Sequence, residues 1–199
     1  MKKVLLVFLM LLLVFSFAGC GGGGAVENDD FRDEMPQDLS AFVDAELSIV
    51  RGIGEMVHGE WAESHDQLML EGGGQENPLY WELKEVLDTA RIQFGAYYVY
   101  AMITDGSGDY FITVDGSEEP DDWLENYGFE VQFEEAYNGF VASARSGWDV
   151  DVPMWSCFAP VFDSDNNIVA IVGVDMPCPI LENYPEWNRD RDEWNGIEE

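Results

Sequence analysis

The chain predicts an α+β fold, an antiparallel sheet with a long N-terminal helix packed behind it. Three observations carry that expectation. Apolar residues from Leu39 to Leu68 recur at three- and four-residue spacing, the stripe of an amphipathic helix. After Ala96 the pattern changes to short runs rich in aromatic and β-branched residues. Those runs come in two pairs, and each pair is joined by a segment of Asp, Gly, Ser and Asn that reads as a hairpin turn.

Pro36 opens the helical pattern, and Leu39, Phe42, Val43, Leu47, Val50, Ile53, Val57, Trp61 and Leu68 form its stripe. Gly52, Gly54 and Gly59 argue against a straight rod, and Gly72-Gly73-Gly74 end it. A second helix is expected from Pro78 to Ala90, with Leu79, Leu83, Val86 and Leu87 on one face. Ala96 to Ile103 and Tyr110 to Val114 then form a hairpin around Asp105–Asp109. An acidic, aromatic connector from Gly116 to about Trp148 contains a helix near Val131 to Ala142. Trp155 to Phe162 and Ile168 to Met176 form the second hairpin around Asp163–Asn167, and Pro177 and Pro179 stop the last strand. The acidic end from Glu182 to Glu199 is either a short docked helix or a loose end. No internal repeat is apparent.

The first 24 residues carry an address. Lys2 and Lys3 precede an apolar run from Val4 to Phe15, then Ser16-Phe17-Ala18-Gly19-Cys20 and four glycines. A charged start, an apolar core and small residues before a cut site make an export signal. That core is too short for the roughly 20 residues a spanning helix needs. Ala18-Gly19-Cys20 resembles the lipobox of bacterial lipoproteins, with Phe17 where that family usually has Leu. The resemblance implies that Cys20 is lipidated and becomes the mature N-terminus. The expected organisation is a signal peptide over 1–19, a lipidated glycine-rich, acidic tether over 20–36, a folded domain over 37–180 and an acidic tail over 181–199.

Charge narrows the partners. The 199 residues hold 9 Lys and Arg against 40 Asp and Glu, a net −31. Without Lys2 and Lys3, seven bases face the same 40 acids, a net −33. Nucleic acid is excluded as a partner, because affinity for phosphates comes from Lys and Arg. Such an acid excess suits a salty or alkaline medium, where ions screen self-repulsion. A surface that gathers cations or basic ligands is the alternative.

Two helices, a hairpin, a helical connector and a second hairpin bring the chain close to a known family. Tyr98-Val99-Tyr100-Ala101-Met102 and Tyr110 to Asp115 flank the first turn. Phe158-Ala159-Pro160-Val161-Phe162-Asp163-Ser164-Asp165 leads into Ile171-Val172-Gly173-Val174-Asp175-Met176 at the second. Over roughly Leu39 to Pro179 these segments resemble the extracellular Cache domains, PAS-like sensors of bacterial chemoreceptors and histidine kinases. The resemblance implies a PAS-like sheet and a small-molecule ligand, an amino acid, amine or organic acid, held between the sheet and its connector. Members usually continue into a membrane helix and a transmitter, whereas this sequence stops at Glu199. A lipid anchor at Cys20 would then replace that helix, and any sensory role would need a partner membrane receptor or transporter.

Site residues follow from the resemblance and from strand arithmetic. The resemblance implies that Asp175 accepts from a ligand ammonium, a charge-assisted bond suited to a carboxylate; bonding to nearby backbone is the structural alternative. If Asp163–Asn167 is a simple loop, Phe162 faces Ile168 and Trp155 falls opposite Asp175, an aromatic face beside a carboxylate. Arg91 stands where the family often places a carboxylate-binding arginine, or forms a structural ion pair. Tyr98, Tyr100, Tyr110 and Trp123 are candidate ring walls or core. Trp148, Asp149 and Asp151 are candidates for the pocket mouth or for solvated surface. The same arithmetic sets Cys157 opposite Gly173, about 16 Å along the strand from Cys178, which argues against a disulfide.

Other signals carry less. His58 and His65 lie seven apart on the first helical stretch, with no cysteine near, a poor metal spacing. Asp163-x-Asp165-x-Asn167 matches the start of a calcium loop but lacks its glycine and later Glu. No nucleophile elbow, phosphate loop or zinc-protease pattern occurs. The expectation is a solute-binding module with no enzymatic activity, cofactor or metal. Its alternative is a structural or interaction lipoprotein of the cell envelope whose pocket is filled.

Overall fold

The computed structural model describes residues 34–144, 148–149 and 152–187. The expected signal, the expected lipidation site at Cys20 and most of the expected tether lie outside them, as do Asp151 and the end of the acidic tail.

The amphipathic stripe folds as two helices, α1 (Gln37–Met56) and α2 (Glu60–Glu71). The chain breaks between them at Gly59, whose φ of 66° only glycine adopts readily. The Gly59 N–H donates to the Phe162 carbonyl at 3.1 Å, so the break is fixed against the sheet. Helix α3 (Pro78–Phe94) starts as the sequence predicts and runs one turn further. Pro78 sits at its first position, Asn77 caps it by accepting from Leu79 N–H at 3.0 Å, and left-handed Gly95 ends it.

Both predicted hairpins form. Strands β1 (Tyr98–Thr104) and β2 (Tyr110–Asp115) pair antiparallel. The connector holds a short β3 (Asn126–Gly128), helix α4 (Val131–Tyr137), β4 (Ala142–Ala144) and β5 (Trp148–Asp149). Strands β6 (Val152–Phe162) and β7 (Ile168–Pro177) make the second hairpin, and β7 ends at Pro177 as expected. The order across the sheet is β3-β2-β1-β7-β6-β4, with β5 paired to the start of β6. Two 3-10 turns, Pro179–Asn183 and Pro185–Trp187, follow and bury Leu181 and Trp187. None of the helices among the described residues is long and apolar enough to cross a membrane.

Each sheet face has its own core. On one, Leu39, Val43, Val50 and Ile53 of α1 and Val57 just after it, with Leu83 and Leu87 of α3, cover Val99, Ala101, Val114, Val161, Val172 and Val174. Fully burying such side chains contributes roughly 1.5–3 kcal/mol each, so this layer holds α1 to the sheet. On the other, Phe133 and Ala136 of α4 cover Met102, Tyr110, Ile112, Phe158 and Ile171. This is the PAS-like arrangement, an antiparallel sheet with the long helix behind it.

One feature of the hairpin departs from simple arithmetic. Phe162 faces Ile168, but Val161 faces Ala170, so Val169 is an extra residue in a bulge. Every pairing beyond it moves by one. Ser156 faces Asp175, Trp155 faces Met176 and Cys157 faces Val174. The predicted pairing of Trp155 with Asp175, and of Cys157 with Gly173, is corrected accordingly. Cys157 and Cys178 are both buried, and no disulfide joins them.

Candidate ligand-binding site

A one-residue shift in a strand sends a side chain to the other face. Trp155 is therefore buried among the helices, 0% exposed, while Asp175 stands on the face that α4 partly covers. Asp175 is 4% exposed. In register with it stand Tyr98 on β1 and Ser156 on β6, so carboxylate, phenol and hydroxyl form one row across three strands.

The next row is built by Gly173. Its register partners are Tyr100 and Phe158. A Cβ at Gly173 would lie 2.5 Å from the Tyr100 ring, so the missing side chain is the seat of that ring. Seated there, the Tyr100 hydroxyl donates to Asp175 Oδ1 at 3.4 Å. Tyr127, the middle residue of β3, lies with its ring 5.6 Å from Tyr100 and 5.9 Å from Phe133, linking the polar row to the aromatic layer beneath α4.

Electrostatics on this face are anionic. Burial, then the charge of Asp175, drives the Tyr100 and Tyr127 hydroxyls far above the ordinary phenol range, and Glu130 adds to both. Both phenols therefore stay protonated and available as donors. A buried carboxylate with protonated phenols around it favours a compact cation, which it can meet with charge-assisted bonds and ring faces.

The other expected site residues lie elsewhere. Arg91 binds Asp88 Oδ1 at 2.8 Å and the Gly116 carbonyl at 3.3 Å, the structural ion pair weighed as its alternative. Helix α3, which carries it, packs on the helix side of the sheet, so Arg91, Trp155 and Asp175 do not converge. Tyr110 shares the face of Asp175 but is 4% exposed among Phe133, Tyr137 and Phe129, a core residue. Trp123 packs over Gly74 against the helix-side core and is not a wall of this site. Trp148 and Asp149 pair with Pro153 and Val152 in β5, and their side chains lie outside the described residues, as does all of Asp151. Ser156, Tyr127 and Gly173 are the members that sequence reasoning missed. The glycine two before Asp175 was visible, but its purpose depends on which ring lies opposite.

His65 is 0% exposed, with Nε2 2.7 Å from Thr113 Oγ1 and its ring stacked on Trp61. Thr113 donates its own proton to the Ala101 carbonyl at 3.1 Å, so the imidazole is the donor in that pair. The Asp163 carboxylate accepts from Asp165 N–H, Asn167 N–H and the Asn167 amide, which makes the segment a self-bonded turn. A separate open cleft of about 530 Å³ on the helix side is lined by Gln37, Asp38, Ala41 and Tyr184.

No protein-family model and no curated protein sequence matches this chain. Solved structures do. The ligand-binding domain of the Campylobacter jejuni chemoreceptor Tlp3, in complex with L-norvaline, superposes with a TM-score of 0.51 at 18% identity, over 73% of this chain and 55% of that one. Its complex with 4-methylisoleucine gives 0.51 at 17%, over 73% and 55%. The V. cholerae histidine kinase DctB sensor domain gives 0.51 at 14%, over 77% and 56%. The fold is that of a Cache sensor domain. This chain spans little more than half the length of those solved Cache domains.

Proposed function

We propose that this protein is an exported lipoprotein, held to a membrane through Cys20, whose Cache-fold domain captures a small solute by its ammonium group. The observation that carries this reading is Asp175, a carboxylate 4% exposed in one row with Tyr98 and Ser156 and bonded by Tyr100. Of the solutes expected, amines and amino acids fit this face better than organic acids. Arg91, the base proposed for a carboxylate, is engaged on the other side of the sheet. The Tlp3 domains solved with L-norvaline and 4-methylisoleucine support an amino-acid-like ligand. Capture without chemistry is the function: the domain over 37–180 binds, the tether over 20–36 positions it, and a partner membrane receptor or transporter receives the result.

A second reading has its own support. Phe133, Phe158, Tyr110 and Ile171 fill the centre of the same face, as in a structural module with a closed pocket. A thermal-shift screen of the exported chain at high salt, against amines, amino acids and organic acids, separates the two. A ligand that binds only the native state raises the melting temperature. The expected outcome is a shift with compounds bearing an ammonium group, abolished in Asp175→Asn while the unliganded variant still melts cooperatively. Shifts confined to compounds without an amine would sink the ammonium reading, and no shift with any compound favours the closed module.

A further inference from the structure

Directly behind Asp175, on the helix side of the sheet, lies a second buried acid. Glu46 is 2% exposed in the middle of α1, on the stripe that otherwise carries Leu39, Val43, Val50 and Ile53. An acid there breaks the apolar pattern at the point where the helix crosses β6 and β7. Its Oε2 accepts from the Cys157 thiol at 3.8 Å, and the Met176 backbone also reaches it. Met176 is the residue after Asp175. Adjacent residues of one strand thus serve two carboxyl groups on opposite faces, one by side chain and one by main chain.

We propose that Glu46 is a proton-binding site coupled through β7 to Asp175, so that solute capture on one face and protonation on the helix behind it are linked. This rests on the reading of Asp175 as the ammonium acceptor. Two like charges flanking one strand disfavour each other across a medium with little water. Burial first, and the charge of Asp175 second, hold the Glu46 carboxyl up to about 10. The other titratable groups facing it are Cys157 on β6 and Cys178 just after β7, whose thiol is pushed up to about 12 chiefly by burial. Strand β4 brings only Ala142, Ser143 and Ala144 to this region.

Neutralising Asp175 with a bound cation removes part of the repulsion and lowers the Glu46 value. By reciprocity, ionised Glu46 strengthens the hold on the cation. Affinity for a cation of fixed charge, such as a quaternary ammonium, then rises with pH in the alkaline range, and its binding there releases protons from Glu46.

The titration of Glu46 in the full exported chain tests this without any ligand. Its side-chain carboxyl carbon is followed by NMR from pH 6 to 11 (a probe range) and assigned by loss of the signal in Glu46→Gln. The expected result is an alkaline midpoint in wild type that moves down by about half a pH unit or more in Asp175→Asn. Asp175→Ser serves if the amide variant does not fold. A Glu46 midpoint in the ordinary carboxylate range, or one that both Asp175 variants leave unmoved, overturns the coupling. Because no solute is present, failure here is distinct from failure of the thermal-shift screen, which tests the ammonium reading itself.

Discussion

Tyr100 reaches Asp175 only because residue 173 lacks a side chain. A methyl group there would overlap the ring at 2.5 Å, and the β-strand backbone gives it no other direction. Gly173→Ala should therefore cost about 1–3 kcal/mol by overpacking, read as a lowered denaturation midpoint. It should also weaken any amine-dependent thermal shift without touching the carboxylate. An unchanged shift would mean that Tyr100 has no part in binding. His65 makes a second prediction at this scale. Burial holds its imidazole down to about 4 from 6.5, so the neutral form is the folded form. The native state is then lost preferentially as pH falls through that window, by up to about 3 kcal/mol. His65→Gln should flatten the acid limb of a stability-against-pH curve, and an unchanged limb would assign acid lability to the carboxylates.

At the scale of elements, the turns were the most legible part of the chain. Asp105–Asp109 and Asp163–Asn167 announced both hairpins, because their residues bond their own backbone, as Asp105 and Asp163 do. Gly59 announced the interruption between α1 and α2 but not its depth, which depends on the anchoring contact with Phe162. Substituting Gly59 by Val, a β-branched residue at positive φ, should lower the melting temperature more than the same change at Gly52, which has open space around it and helical backbone. Equal effects would remove the claim that the break is structurally required. The short strands β3, β4 and β5 were hidden, since two or three residues give no period to read. So was the bulge at Val169, which no residue type marks, and with it went the predicted facing of Trp155 and Asp175. The family resemblance singled out Asp175 and Arg91 together, and the structure sets them apart, Asp175 buried on the α4 face and Arg91 paired with Asp88 on the helix side of the sheet.

For the whole molecule, charge and pH act together. A net −31 opposes the compact state, so added salt at neutral pH should raise the melting temperature, and its absence would point to local rather than global repulsion. The sequence suggested a salty or an alkaline medium, and Glu46 weighs against the second. Its carboxyl is raised from 4.5 to about 10, so the stability its proton provides is complete below 4.5 and is lost as pH rises toward 10. That loss runs at about 1.4 kcal/mol per pH unit. Between 4.5 and 6.5 the opposite slope of His65 offsets it. The two groups together therefore place their plateau in mildly acid solution, and Glu46→Gln should flatten the decline measured from pH 7 to 10. The bulge in the second hairpin has a consequence of its own for how this protein tolerates change in length. Exposed turns ordinarily accept insertions and deletions, and because Val169 is the extra residue its loss would leave Ser156 opposite Asp175, whereas loss of one residue between Ala170 and Asp175 would set Asp175 opposite Cys157, on the helix side beside Glu46. Two acids would then share one dry interface. The hairpin thus tolerates a change of length at its bulge but not between the bulge and Asp175, where one residue more or less would bring the two carboxylates to the same side of the sheet.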